Sequence, residues 1–286
     1  MSGEMSLDRL RQEIDRVDDA LHDLLMQRTR LVEQVGLLTT PDDLTQLRPA
    51  REAEIARRLL SRHVGRFPKA ALMRIWREII GAMISLQGSV SVAVFMPDRG
   101  AGYLELARDH FGSILNILPV RSAGQVTKAV ADGSATVGIM PMPDREDVEP
   151  WWISLMGDSQ DLPRIVARLP FIGPSPSRGD GLEALVVGRQ FPDPTGYDRS
   201  WLALETTPDI SRARLRSVLS AAGLEPTQFA ATHRTDDSWL HLVEISGHMV
   251  AEDRRIGRLV ERLQPVQRAA LLGGYPVPFS PEDLQD

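Results

Sequence analysis

The chain contains no cysteine. That excludes disulfides, a thiolate nucleophile and any cysteine-ligated metal. Lysine is nearly absent, only Lys69 and Lys128, so almost all positive charge is arginine. Positive charge is also outnumbered: the net charge of −6 argues against the concentrated basic surface that nucleic acid requires. No apolar run is long enough to span a bilayer. No apolar signal core occupies the N-terminus, where charges begin at Glu4 and Asp8. The expected compartment is therefore cytoplasmic. What remains is a globular composition, 42% hydrophobic and 25% charged, over 286 residues. Such a length accommodates about two or three domains.

The clearest periodicity lies in residues 7–38. Leu10, Ile14, Val17, Leu21, Leu24, Arg28, Leu31 and Val35 recur at steps of three and four. This is the stripe of one long amphipathic helix. At 1.5 Å per residue it is about 45–50 Å long, more than a small domain can cover. It therefore calls for other helices and for a second copy of itself. Arg28 stands on that stripe in place of an aliphatic residue, with no acid four positions away on either side. Burying an unpaired guanidinium is costly, so it needs an anion.

Thr39, Thr40 and Pro41 end this helix. Pro49 starts a second over 49–63, and Pro68 a third. On the third, Leu72, Ile75, Trp76, Ile79, Ile80, Met83 and Gln87 share a face, Gln87 being the second polar residue on a stripe. At Val90 the period becomes β. Strands are predicted at 90–96, 114–120, 135–140 and 185–187, with helices at 104–111 and 125–131. The alternation implies an α/β unit. Residues 141–180 are rich in Pro, Gly, Ser and Asp and show little period. Pro192, Pro194 and Gly196 mark a linker. Beyond it strands at 201–205, 227–233 and 239–245 and helices at 211–222 and 252–263 read β-α-β-β-α. A strand at 269–272 completes a ferredoxin-like α+β order. The expected domains are 1–88, 89–195 and 196–286.

Arg11, Arg28, Arg51 and Gln87 fall on helical faces that can converge. Surface salt bridging is the alternative for any lone arginine, and Arg51 alone reads that way beside Glu52 and Glu54. Arg28 and Gln87 differ because each replaces an apolar stripe residue, and buried polar groups need partners. A helical pocket lined by guanidinium forks fits a small dicarboxylate. Gly100, Gly102 and Gly112 form no dinucleotide fingerprint. His233, His241 and His248 read as surface or strand residues rather than metal ligands.

Leu10-Arg11-Gln12-Glu13-Ile14-Asp15, Asp18-Asp19-Ala20-Leu21, Leu24-Leu25-Met26-Gln27-Arg28, Val35-Gly36 and Pro49-Ala50-Arg51-Glu52-Ala53-Glu54 are followed by the helix from Ile79-Ile80 to Gln87. In order and spacing these pieces resemble the all-helical chorismate mutases. The resemblance implies an entwined dimer of three-helix chains acting on chorismate without metal or cofactor. It implies that Arg11, Arg28 and Arg51 hold the substrate carboxylates, Arg11 across the dimer, and that Gln87 contacts the ether oxygen. Arg48, Thr39, Glu52 and Met83 take substrate-binding positions. The family usually has lysine at Thr39, and often aspartate at Arg48 and serine at Met83.

Val92-Ala93-Val94-Phe95 and residues 135–141 resemble strands of a prephenate dehydratase lobe. By length about one lobe is missing. The Thr-Arg-Phe motif of that family is replaced by Leu182-Glu183-Ala184, and the Ser177-Arg178 pair lies too far upstream to substitute. Residues 200–276 resemble an ACT regulatory domain, with Ser211-Arg212-Ala213 and Thr232-His233-Arg234 in place of its amino-acid-binding motifs. The expected protein is thus a chorismate mutase fused to a reduced dehydratase-like module and an ACT-like domain, without dehydratase activity. The alternative is an impaired mutase-like regulatory or scaffold protein that binds an aromatic-pathway enzyme or an aromatic amino acid.

Overall fold

The computed structural model describes residues 6–38, 47–88, 90–97, 101–144, 150–157, 159, 161–173, 181–208, 210–262 and 265–285. Three helices come first: α1 Leu7–Leu38, α2 Pro49–Arg62 and α3 Lys69–Gln87. Ser6 caps α1, its hydroxyl accepting from the Arg9 amide at 3.3 Å, and Asp8 adds negative charge to the first turn. Pro49 supplies the fixed φ that opens α2.

A β-α-β-α-β run follows: β1 Ser91–Phe95, α4 Gly102–Phe111, β2 Asn116–Val120, α5 Ala123–Ala131 and β3 Val137–Pro141. Its strands are parallel in the order β2-β1-β3. Ser122 and Gln125 form a reciprocal capping box that starts α5. Two elements then appear where the sequence shows little period: a 3-10 helix, Trp151–Met156, and β4 Arg164–Leu169. β4 escapes pattern reading because its neighbours bury it on both faces while Arg164 and Arg168 interrupt its apolar run. β5 Ala184–Gly188 pairs antiparallel with β3 and β4.

The last unit is β6 Asp198–Thr206, α6 Arg212–Ala221, β7 Pro226–Arg234, β8 Trp239–Ser246, α7 Arg254–Arg262 and β9 Val266–Pro276. Its strands lie β9-β6-β8-β7, all antiparallel, which is the ferredoxin-like order. The terminal strand is longer than the 269–272 expected.

The predicted linker before β6 does not separate two sheets. β4 and β9 pair in parallel at Ile165 and Gly273, giving one nine-stranded sheet, β2-β1-β3-β5-β4-β9-β6-β8-β7. Gly273 permits this approach: it has φ of 128°, and a Cβ there would lie 2.2 Å from the Ile165 carbonyl oxygen. The cores merge likewise. One joins α5 and Trp152 to Trp201, Leu242 and Leu272 of the last unit. Another joins Ala53, Ala56 and Met73 of α2 and α3 to β1, α4 and β4. The predicted face of α3 is displaced. Met73, Arg77 and Gly81 are its buried residues, whereas Ile75 is 46% exposed. Gly81 lies against the Phe111 carbonyl, too close for any side chain, so α3 crosses α4 along that edge.

Candidate active site

α1 has no buried residue. Along its stripe Leu10, Ile14, Val17, Leu21, Leu24, Leu31 and Val35 are between 40% and 60% exposed. In the middle sits Arg28, half-buried, with Nη1 fully enclosed and no hydrogen-bond partner. Burial pulls its guanidinium below its ordinary pKa. An enclosed charged donor without an acceptor costs more than the roughly 1–3 kcal/mol of a neutral one, and an arriving carboxylate would remove that cost. Beside it the Thr29 hydroxyl donates to the Leu25 carbonyl at 2.9 Å and lies 3.7 Å from the Met83 sulfur. The Thr29–Met83 contact joins α1 to α3 one residue along from Arg28, and Gln87, the last residue of α3, is half-buried.

Arg11 is not with them. It is exposed near the start of α1, 3.6 Å from Asp8. Seventeen residues separate it from Arg28 on one continuous helix. At 1.5 Å per residue that is about 25 Å, so a small substrate at Arg28 can meet Arg11 only from another copy.

α2 packs on α3 rather than on α1. Arg48 is exposed, and Arg51 is exposed and bonded to Glu54 at 2.9 Å. Glu52, expected at a substrate-binding position, turns into the core and pairs with Arg77 of α3. Both are over 90% buried. Burial raises the Glu52 carboxyl and Arg77 offsets part of that. The Arg77 guanidinium also lies 5.2 Å from the Phe171 ring centre. His110 of α4 is held neutral by burial and by Arg77. Sequence reasoning missed this pair, although its signal was there: Glu52 stands among Ala50, Ala53 and Ala56, and Arg77 between Met73 and Gly81. Thr39 and Ser177-Arg178 lie outside the described residues.

A second polar network crosses the sheet. Arg168 on β4 binds both carboxylate oxygens of Glu183 at 2.9 Å and reaches Glu244 and the Tyr275 hydroxyl at 3.3 Å. Tyr275 and Thr227 also donate to Glu244. Every member has a partner, and the network ties β4 to the last unit. His241 lies on β8 between the Thr206 and Thr232 hydroxyls, at 3.1 and 3.3 Å. Burial, with Arg212 nearby, lowers its pKa to about 4. Among the described residues no group of His, Asp and Glu could hold a metal ion. Nor is any helix among them long and apolar enough to cross a membrane.

Residues 10–88 match the sequence family Chorismate mutase type II. The N-terminal helices are a chorismate mutase type II domain. Over 140 residues the chain is 33% identical to the bifunctional chorismate mutase/prephenate dehydratase of Aquifex aeolicus. That alignment covers 48% of this chain and 38% of the relative, so the chain spans well under half of the relative's length. Among solved structures, the quorum-quenching acylase GqqA aligns with 70% of the chain and 100% of its own, at TM-score 0.48 and 16% identity. The prephenate dehydratase of Streptococcus mutans aligns with 66% and 98%, at TM-score 0.46 and 18% identity. Within residues 10–88, Arg28 lies on α1 and Met83 and Gln87 on α3, two helices in contact, while Arg51 lies on α2, which packs on α3.

Proposed function

We propose that two copies of this chain pair through α1 and convert chorismate to prephenate, with Arg28 and Arg51 of one copy and Arg11 of the other holding the substrate carboxylates. The observation that carries this reading is the enclosed, partnerless Nη1 of Arg28 on a helix whose whole apolar stripe lies open. Covering the remaining half of seven such side chains is worth on the order of 8 kcal/mol before the cost of association. Gln87, and Arg48 with Met83 at the rim, complete the pocket, while Thr39 stands where the family has a lysine. Glu52 serves α2 packing through Arg77 instead of reaching substrate.

The rearrangement is unimolecular. Holding the compact conformer and stabilising charge on the ether oxygen is sufficient, with no covalent group, metal or cofactor. In the same proposal the C-terminal unit is ACT-like. The chain lacks dehydratase activity, because the threonine–arginine pair of that motif has no counterpart: Leu182-Glu183-Ala184 stands in its place, with Glu183 bonded to Arg168. The experiment follows chorismate loss and prephenate formation by the purified chain, with its sedimentation. Turnover by a dimer is expected. A monomer at micromolar concentration, or no prephenate, rejects the reading. Phenylpyruvate formed from added prephenate above the uncatalysed rate rejects the claim about dehydratase.

A second reading is an impaired mutase serving regulation. It is favoured by the Arg51–Glu54 and Glu52–Arg77 pairs, which occupy two expected ligands. Chorismate binding without turnover in the same assay supports it.

A further inference from the structure

α2 carries Arg51 and is held on two sides, by α3 and by the C-terminal unit. Its far half is fastened to the C-terminal unit through Arg57. The Arg57 Nη1 donates to the Thr195 hydroxyl at 2.8 Å, and Nη2 donates to the carbonyls of Tyr197 and Val277 at 3.1 and 3.3 Å. The guanidinium also lies 5.5 Å from the Tyr197 ring centre. Those acceptors sit just before β6 and just after β9, two adjacent strands of the last unit.

The seat is built rather than incidental. Asp198, 6% exposed, accepts from the Thr195 amide at 2.8 Å, the Thr195 hydroxyl at 2.7 Å and the Gly196 amide at 3.1 Å. With its proton directed to Asp198, the Thr195 hydroxyl offers its lone pairs to Arg57. Gly196 takes φ of 83°, so the turn needs glycine there. Two carbonyls and a hydroxyl in a fixed array match a planar fork and not a single ammonium.

We propose that Arg57 is a positioning residue for the substrate pocket: it fixes α2, and with it Arg51, against the C-terminal unit, so that this unit sets where Arg51 can meet a substrate held at Arg28. This rests on the mutase reading. Arg51 lies six residues from Arg57, about 9 Å along one rigid helix. Without Arg57, α2 keeps its pin at Glu52–Arg77 and the burial of Ala50, Ala53 and Ala56, so it stays folded. It can then pivot about that pin, and a carboxylate-binding arginine displaced by even an ångström loses its fork geometry.

The test compares Arg57→Ala, Arg57→Lys and Arg58→Ala in the full chain, measuring KM and kcat for chorismate and the melting temperature. Arg58 is the exposed neighbour on the same helix. For Arg57→Ala, KM should rise about tenfold with kcat changed less than about threefold, because substrate binding is loosened more than the bound reaction. Arg57→Lys should fall between, and Arg58→Ala should match wild type. An unchanged KM in Arg57→Ala, even with a lower melting temperature, overturns the proposal. So does an equal rise in Arg58→Ala. Absence of turnover in the wild-type chain removes the mutase reading instead. The fastening is then read by amide hydrogen exchange: residues 49–62 and 195–198 should exchange faster in Arg57→Ala, and unchanged exchange overturns it.

Discussion

Two arginines stand on helix faces where an aliphatic residue would pack, and their surroundings differ. Arg77 on α3 is 5% exposed, bonded to Glu52 and stacked near Phe171. Arg28 on α1 is half-buried with an enclosed nitrogen and no acceptor. The first is a completed structural pair: its anion comes from the chain, and it joins α2 to α3 and α3 to the turn after β4. The second has the same chemistry with the anion missing. An interior charge whose partner is built in holds a fold together, while one whose partner is absent carries a cost that an arriving anion would remove.

The largest effect is expected at Arg77. Arg77→Met leaves Glu52 buried without its cation and should cost about 3–5 kcal/mol in denaturant unfolding. Adding Glu52→Leu should recover most of that loss, since an apolar pair often replaces a buried ion pair without penalty. Equal losses in the single and double variants would show that the pair is not what holds α2 to α3.

Arg28→Leu should behave oppositely. It restores an unbroken stripe and removes an unsatisfied donor, so stability should hold or rise. Turnover per folded molecule should fall by about 10²–10³, the loss of a bidentate carboxylate contact. A variant that is destabilised yet active would erase the distinction between the two arginines and the main support for the pocket.

A smaller effect sharpens the contrast by asking how a paired interior group responds to acid. His241 has a folded-state pKa of about 4 against an ordinary 6.5. The unfolded chain takes the proton first as pH falls, so stability is full above about pH 6.5 and is lost on the way to about pH 4. The loss is roughly 2–3 kcal/mol. His110 contributes in the same direction. His241→Gln should flatten part of that slope in urea titrations at successive pH values, and an unchanged slope would assign the acid sensitivity elsewhere.

Much of the fold was legible locally. The three- and four-residue steps of α1, Pro49 at the head of α2 and the β-branched run after Val90 each carry their own structure. The strand Arg164–Leu169 did not, because a strand buried on both faces lacks alternation and its arginines disguise the apolar run. Arg28 and Gln87 were legible as polar residues on apolar stripes, and both are half-buried on their helices. The same argument applied to Glu52 and Arg77 identifies a pair, but which acid meets which base depends on how α2 lies across α3.

By itself, then, the sequence determined the helical face of residues 7–38, the mutase motifs on it and the β-α-β-β-α-β order of the last unit. Those are periodicities and short-range spacings, which a chain carries without reference to its far parts. Only the tertiary structure decided that β4 meets β9 at Gly273 and makes one sheet of two units, that Glu52 is turned inward to Arg77, and that Arg57 fastens α2 to Thr195, Tyr197 and Val277. Each of those contacts joins residues at least 25 positions apart, where the closest approach is set by packing of whole elements and not by any local pattern.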